Sequence, residues 1–125
     1  MTLNAKRIGR TLLAICMAAT LVTMVRAHAK LEKSEPADKA TLAAAPVHVQ
    51  LWFDDDLDVK TSKITLKGAS GPIKLGPVHL MGEKSLMADI TGAMVDGNYT
   101  IDWQTAGDDG HVSKGVIAFT LTRKK

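Results

Sequence analysis

The segment VHVQLWF, Val47 to Phe53, alternates apolar and polar side chains along its length. A period of two puts Val47, Val49, Leu51 and Phe53 on one face and His48, Gln50 and Trp52 on the other. A helix would scatter those four apolar groups around its circumference, so the run fits a strand with one buried face. The signature returns in VDGNYTIDWQT, where Asp96-Gly97 opens a strand and Tyr99, Ile101 and Trp103 share a face. Shorter runs lie around and between these two. AKLEKSEP stops at Pro36, TSKITLK runs to the breaker GASGP at Gly68 to Pro72, and IKL precedes Gly76-Pro77. SLMADI follows, and GVIAFTLT leads to the basic tail Arg123-Lys124-Lys125. Short strands with turns every ~8–12 residues specify an all-β chain, an immunoglobulin-like Greek-key β-sandwich of about seven strands. ADKATLAAAP, closed by Pro46, is expected as a turn with one loose helical loop.

The first 27 residues read differently. Lys6, Arg7 and Arg10 precede an uncharged, largely apolar run from Thr11 to Val25, and Val25-Arg26-Ala27 offers modest side chains where a signal peptidase reads. The run is shorter than the ~20 apolar residues of a spanning helix. Residues 1–27 are therefore expected to be a secretory signal and residues 28–125 the folded domain. Lipoprotein processing at Cys16 is the rival reading; Ile15 suits it poorly, and the apolar run continues past it.

That cut changes the chemistry. Lys6, Arg7, Arg10 and Arg26 leave with the signal, so the 16 basic residues become 12 against 13 acids. The net charge moves from +3 to −1, and the basic balance that nucleic-acid binding would need disappears. Cys16, the single cysteine, leaves too, which excludes thiolate zinc, iron–sulfur and cysteine-nucleophile chemistry. A chain this short without a disulfide is held by packing, a metal, or both.

The cut would also expose His28 as the first residue, with a free amine and an imidazole on one side chain and backbone. Its natural complement is GDDGH, Gly107 to His111. In extended chain Asp109 and His111 point to the same side with Cα atoms roughly 6–7 Å apart. They also fall in the turn between the last two strands, at one end of the sandwich, where such folds carry sites. The His28 amine and imidazole, the His111 imidazole and an Asp109 oxygen make a three-nitrogen, one-oxygen set suited to tetragonal Cu(II). Amine and imidazole bind only as free bases, so affinity should fall in acid. Against this stands an ordinary reading: Asp-Gly is a frequent hairpin signal, and every processed chain begins with some residue.

Other features are weaker. FDDDLD, with acids from Asp54 to Asp58, hints at calcium but lacks the central Gly and terminal Glu of an EF-hand, so a solvated acidic loop is expected. Met81, Met87 and Met94 are scattered among Gly, Glu, Lys and Asp. Met87 reads as core filler, and His79 with Met81 is the only local His/Met pair. His48 defaults to solvent, while Trp52 on the same face could cover a site or fill a second contact. A triad of Ser113, His111 and Asp109 is too local in sequence to assemble.

The opening HAKLEKSEPADKATLAAAPVHVQLWF and the closing GNYTIDWQTAGDDGHVSKGVIAFTL resemble the CopC family of periplasmic copper-binding proteins. The shared elements are a mature N-terminal His, Ser34 to Asp38, Ala45-Pro46, Gly97 to Trp103, the D-G-H turn Asp109 to His111, and Gly115 to Phe119. The resemblance implies a Greek-key sandwich that binds Cu(II) in the periplasm through His28, Asp109 and His111, and a CopD-like inner-membrane copper transporter as partner. Family members with a methionine-rich loop also hold Cu(I); this sequence lacks that loop. Many members begin His-Ala-His, where this chain has Lys30. The favoured reading is a monomeric copper carrier or buffer, not an enzyme, acting in resistance or in delivery. The alternatives are an oxidative enzyme with a copper histidine brace, disfavoured because Asp109 would occupy the open position, and a metal-free structural or adhesive sandwich.

Overall fold

Two sheets, antiparallel except for one parallel edge pair, form around one apolar layer in the computed structural model, which describes residues 29–123. The expected signal 1–27, His28 and the last two residues lie outside the described residues. The strands are β1 (Leu31–Glu35), β2 (Ala40–Leu42), β3 (His48–Phe53), β4 (Lys63–Gly68), β5 (Gly71–Ile73), β6 (His79–Leu80), β7 (Ser85–Asp89), β8 (Gly97–Ala106) and β9 (Val112–Leu121). One sheet has the order β1-β3-β7-β6 and the other β2-β9-β8-β4-β5. The orders A-B-E-D and G-F-C of an immunoglobulin-like sandwich are contained in these two.

The alternation seen in the sequence builds the core. Val49, Leu51 and Phe53 face Leu86 and Ala88 within the first sheet, and Leu66, Tyr99, Ile101, Trp103, Ile117 and Phe119 supply the second. Phe53 meets Trp103 edge to face, with ring centroids 5.1 Å apart, which ties the sheets together near the site end. At the opposite end Tyr99 stacks on Phe119 at 5.4 Å. Its hydroxyl donates to the Val95 carbonyl at 2.5 Å and accepts from the Val95 N–H at 2.9 Å. This is the corner that fastens a sandwich strand to the turn before it.

The differences from the sequence reading have local causes. Val47 is 72% exposed and joins no core face, because β3 begins at His48 and the Val47 carbonyl instead accepts the Ile90 N–H. ADKATLAAAP contains no helix. Ala40–Leu42 pairs in parallel with Phe119 to Leu121, primed by Asp38 accepting the Ala118 N–H and by Lys39 donating to the Ala118 carbonyl. Three residues among alanines carry no readable period. The IKL strand sits two residues earlier, at Gly71–Ile73, while Leu75 crosses to bridge Ile90 in the other sheet. Met94 is buried in the core, whereas Met87, expected there, is half-buried on the outer face of β7.

Tyr99→Phe removes both Val95 hydrogen bonds and leaves the ring stack. It should lower the unfolding free energy by about 1–3 kcal/mol without changing the denaturant slope, as read by tryptophan fluorescence in urea.

Candidate metal centre

The β8–β9 ladder pairs ten residues without a break, from Gly97↔Leu121 to Ala106↔Val112. The five residues left over make the turn, and its conformation is specific. Gly107 bridges Leu57 and accepts the Gly110 N–H at 3.0 Å. Gly110 takes φ +81, where a side chain would be strained. The turn thereby folds Asp109 back onto His111: Oδ1 accepts the His111 N–H at 3.0 Å, and Oδ2 lies 3.1 Å from His111 Nδ1. The two residues share a side as expected, but through this tight turn and not an extended chain. A carboxylate can only accept from Nδ1, so Nε2 carries the lone pair of the neutral ring. Both side chains are accessible, His111 at 56% and Asp109 at 34%.

The start of the described chain is brought to the same end. Ala29 is 2% exposed and packs in the core. Lys30 donates its N–H to Asp54 Oδ1 at 2.8 Å, and the Asp54 N–H donates back to the Lys30 carbonyl at 3.0 Å. This two-bond clamp sits just beyond the Leu31↔Phe53 pair that begins the β1–β3 register. A cleft of about 440 Å³ is lined by Ala29, Lys30 and Leu31 from the arm, by Val112, Ser113 and Lys114 from β9, and by Trp103. Asp55 joins from the β3–β4 loop. A side-chain carbon on Gly107 would stand 3.1 Å from Asp55 Oδ2 and 3.8 Å from Asp109 Oδ1, so the two carboxylates flank the same glycine.

His28 precedes this arm and lies outside the described residues. Among the described residues no three His, Cys, Asp or Glu side chains gather closely enough to hold a metal ion. The structure thus brings Asp109 and His111 together. The acids of FDDDLD are largely occupied as backbone acceptors. Asp54 holds Lys30, Asp55 Oδ1 accepts the Asp56 N–H at 2.9 Å, and Asp58 caps the 3-10 turn Val59–Thr61 through the Lys60 N–H at 3.0 Å. Sequence reasoning took this run as a solvated loop and missed the placement of Asp54 and Asp55 beside the turn. No local pattern marks that placement, because the Lys30 backbone that Asp54 holds lies 24 residues away. His48 is half-buried on the outer face of β3, and Lys33 stands 4.6 Å over the Trp52 ring on that face.

The frame is a small immunoglobulin-like β-sandwich whose last hairpin carries an Asp/His pair beside the N-terminal arm. The chain belongs to the CopC domain family, whose model matches residues 31–122. Protein YobA of Escherichia coli K12 is 30% identical over 115 residues, covering 90% of this chain and 93% of that protein. Copper resistance protein C of Escherichia coli is 32% identical over 105 residues, covering 76% and 82%. Copper transport protein CutJ of Bacillus subtilis is 27% identical over 106 residues, which are 76% of this chain and 18% of CutJ. Among solved structures, PcoC, a methionine-rich copper resistance protein from Escherichia coli, superposes with a TM-score of 0.69 at 29% identity, covering 77% of this chain and all of PcoC. CopC from Methylosinus trichosporium OB3b shares the fold with a TM-score of 0.72, covering 78% of this chain and 97% of that one.

Asp54→Ala should release the arm: amide exchange at Lys30 should speed up by the equivalent of about 1–2 kcal/mol of lost protection, while core amides of β8 stay unchanged. Hydrogen–deuterium exchange read by NMR checks this.

Proposed function

We propose that the chain is exported, cut after Ala27, and works in the periplasm as a Cu(II)-binding carrier or buffer. The observation that carries this reading is the cleft where the N-terminal arm, Ala29 to Leu31, lies against the first residues of β9, Val112 to Lys114, which follow directly on the Asp109–His111 turn. A cut after Ala27 leaves a single residue, His28, ahead of the buried Ala29. Its amine and imidazole form one chelate, and the hairpin supplies His111 Nε2 and an Asp109 oxygen. Two nitrogens from one residue and a nitrogen and oxygen from another make a four-donor N,O set, which suits Cu(II) better than a soft monovalent ion. Four donors around the ion leave little open coordination for a substrate, which favours holding and transfer over turnover.

Several matched proteins are named for copper resistance or copper transport. In CutJ the matching segment is a small part of a longer chain named for copper transport. This reading implies a CopD-like inner-membrane importer as the partner that receives the ion. A monomer suits such hand-over, because the cleft end must face the acceptor.

Cu(II) titration of the exported protein should give one equivalent with a d–d absorption band, and His28→Ala or His111→Ala should weaken it by orders of magnitude. Unchanged affinity in both variants would sink the proposal. Placing one extra residue ahead of His28 should weaken binding as strongly, because it converts the amine into an amide. Lowering the pH from about 8 to about 5 should release the ion as protons recapture the amine and imidazoles, which competition titrations at each pH will show.

A further inference from the structure

Two lysines stand on opposite walls of the cleft between the arm and β9. Lys30 lines it from the arm and Lys114 from the strand. Both are exposed, and neither pairs with a carboxylate among the described residues, whereas Lys33 pairs with Glu35 and Lys67 with Asp102. The bonds between Lys30 and Asp54 run through the Lys30 backbone, so its ammonium takes no part in that clamp. Ser113 lies next to Lys114 on the same wall. Its Oγ is buried and has no hydrogen-bond partner among the described residues. Thr105, its cross-strand neighbour, bonds Ser62 at 2.6 Å instead.

These groups share one chemical need. An ammonium can only donate hydrogen bonds, and a hydroxyl that nothing holds is free to turn its O–H between rotamers. Buried polar atoms in native proteins are nearly always paired, so one without a partner marks a place where a partner arrives. The acids at this end are turned elsewhere: Asp54 accepts the Lys30 N–H, Asp109 faces His111, and neither lines the cleft. Leu31, Val112 and Trp103 complete the lining with apolar surface. Both walls are held in advance, β9 by its ladder and the arm by buried Ala29 and the Asp54 clamp. A ligand entering there pays little to order its site.

We propose that this cleft binds a small organic anion, its carboxylate held by Lys30, Lys114 and the Ser113 hydroxyl and its short apolar body lying against Trp103, Val112 and Leu31. Hydrogen bonds from ammonium to carboxylate are charge-assisted and stronger than neutral ones. An inorganic anion would leave the apolar wall unused, and an uncharged molecule would leave both ammoniums unpaired. The cleft, about 440 Å³, has the size and the mostly apolar lining with a few convergent polar groups that small-molecule sites show. Its residues are distinct from the metal donors named above, so the inference stands apart from the copper reading.

Benzoate tests this on the metal-free exported protein, with benzamide as its uncharged counterpart and inorganic phosphate as an anion without the apolar body. Expected are saturable NMR shifts of the Lys30, Ser113 and Lys114 amides and of the Trp103 indole N–H. Raising salt from ~0.02 to ~0.5 M should weaken them, because the lysines are exposed and screened. Lys30→Gln with Lys114→Gln changes two exposed side chains and should weaken benzoate roughly tenfold. Ser113→Ala removes the third donor and should weaken it by roughly the same factor. His111→Ala should leave benzoate affinity unchanged while Cu(II) binding is lost, which separates failure here from failure of the first reading. Benzamide or phosphate binding as tightly as benzoate, or unaltered benzoate affinity in the double lysine variant with a native near-UV spectrum, would overturn the assignment.

Discussion

The contact of the Trp103 indole with the backbone of Gly115 is what the end of the sandwich depends on. The two residues are paired in the β8–β9 ladder, and a methyl on Gly115 would come within 2.7 Å of the indole ring. Only glycine leaves the ring room to lie against its own partner strand. In that position the indole meets Phe53 edge to face and lines the cleft between the arm and β9. One close approach therefore couples three things: the ladder that sets the His111 turn, the strand that ends in Asp54, and the wall along which Ala29 to Leu31 run. A bulkier residue at 115 would push the indole outward and loosen all three together.

The long strands were legible because their side chains divide cleanly between core and solvent. Val49, Leu51 and Phe53, and Tyr99, Ile101 and Trp103, could occupy one face only under a period of two, and the structure buries every one of them. Short edge elements were not legible. β2 forms because Asp38 and Lys39 engage Ala118, an interaction eighty residues apart that no local pattern encodes. Met87 was misplaced for a related reason. A methionine suits either a core or an outer face, and only the parity of Leu86 and Ala88 decides which one it occupies. At the candidate site the Asp109–His111 pair was readable from spacing. The roles of Asp54 and Asp55 were not, because a run of acids after a strand looks the same whether it is solvated or clamps a neighbouring backbone.

The β8–β9 turn shows how a short loop can hold polar side chains in place. The left-handed Gly110 reverses the chain, so the Asp109 carboxylate meets both the backbone N–H and the ring of His111. Ten unbroken strand pairs below the turn fix its position, and the Leu57–Gly107 bridge ties it to the neighbouring loop. The spacing of the carboxylate and the imidazole is therefore set by backbone conformation, although both side chains are accessible to solvent.

The chain start reaches the same end of the sandwich by a different means. Ala29 is buried, and the Lys30 backbone exchanges two hydrogen bonds with Asp54, so the arm is held up to its first described residue. An acid placed directly after β3 thereby sets where the arm lies relative to β9 and to the cleft between them. A ladder capped by a left-handed glycine fixes one side of that end, and burial with a carboxylate clamp fixes the other. Neither depends on the other's contacts, so loosening the clamp would free the arm while the Asp109–His111 turn kept its shape.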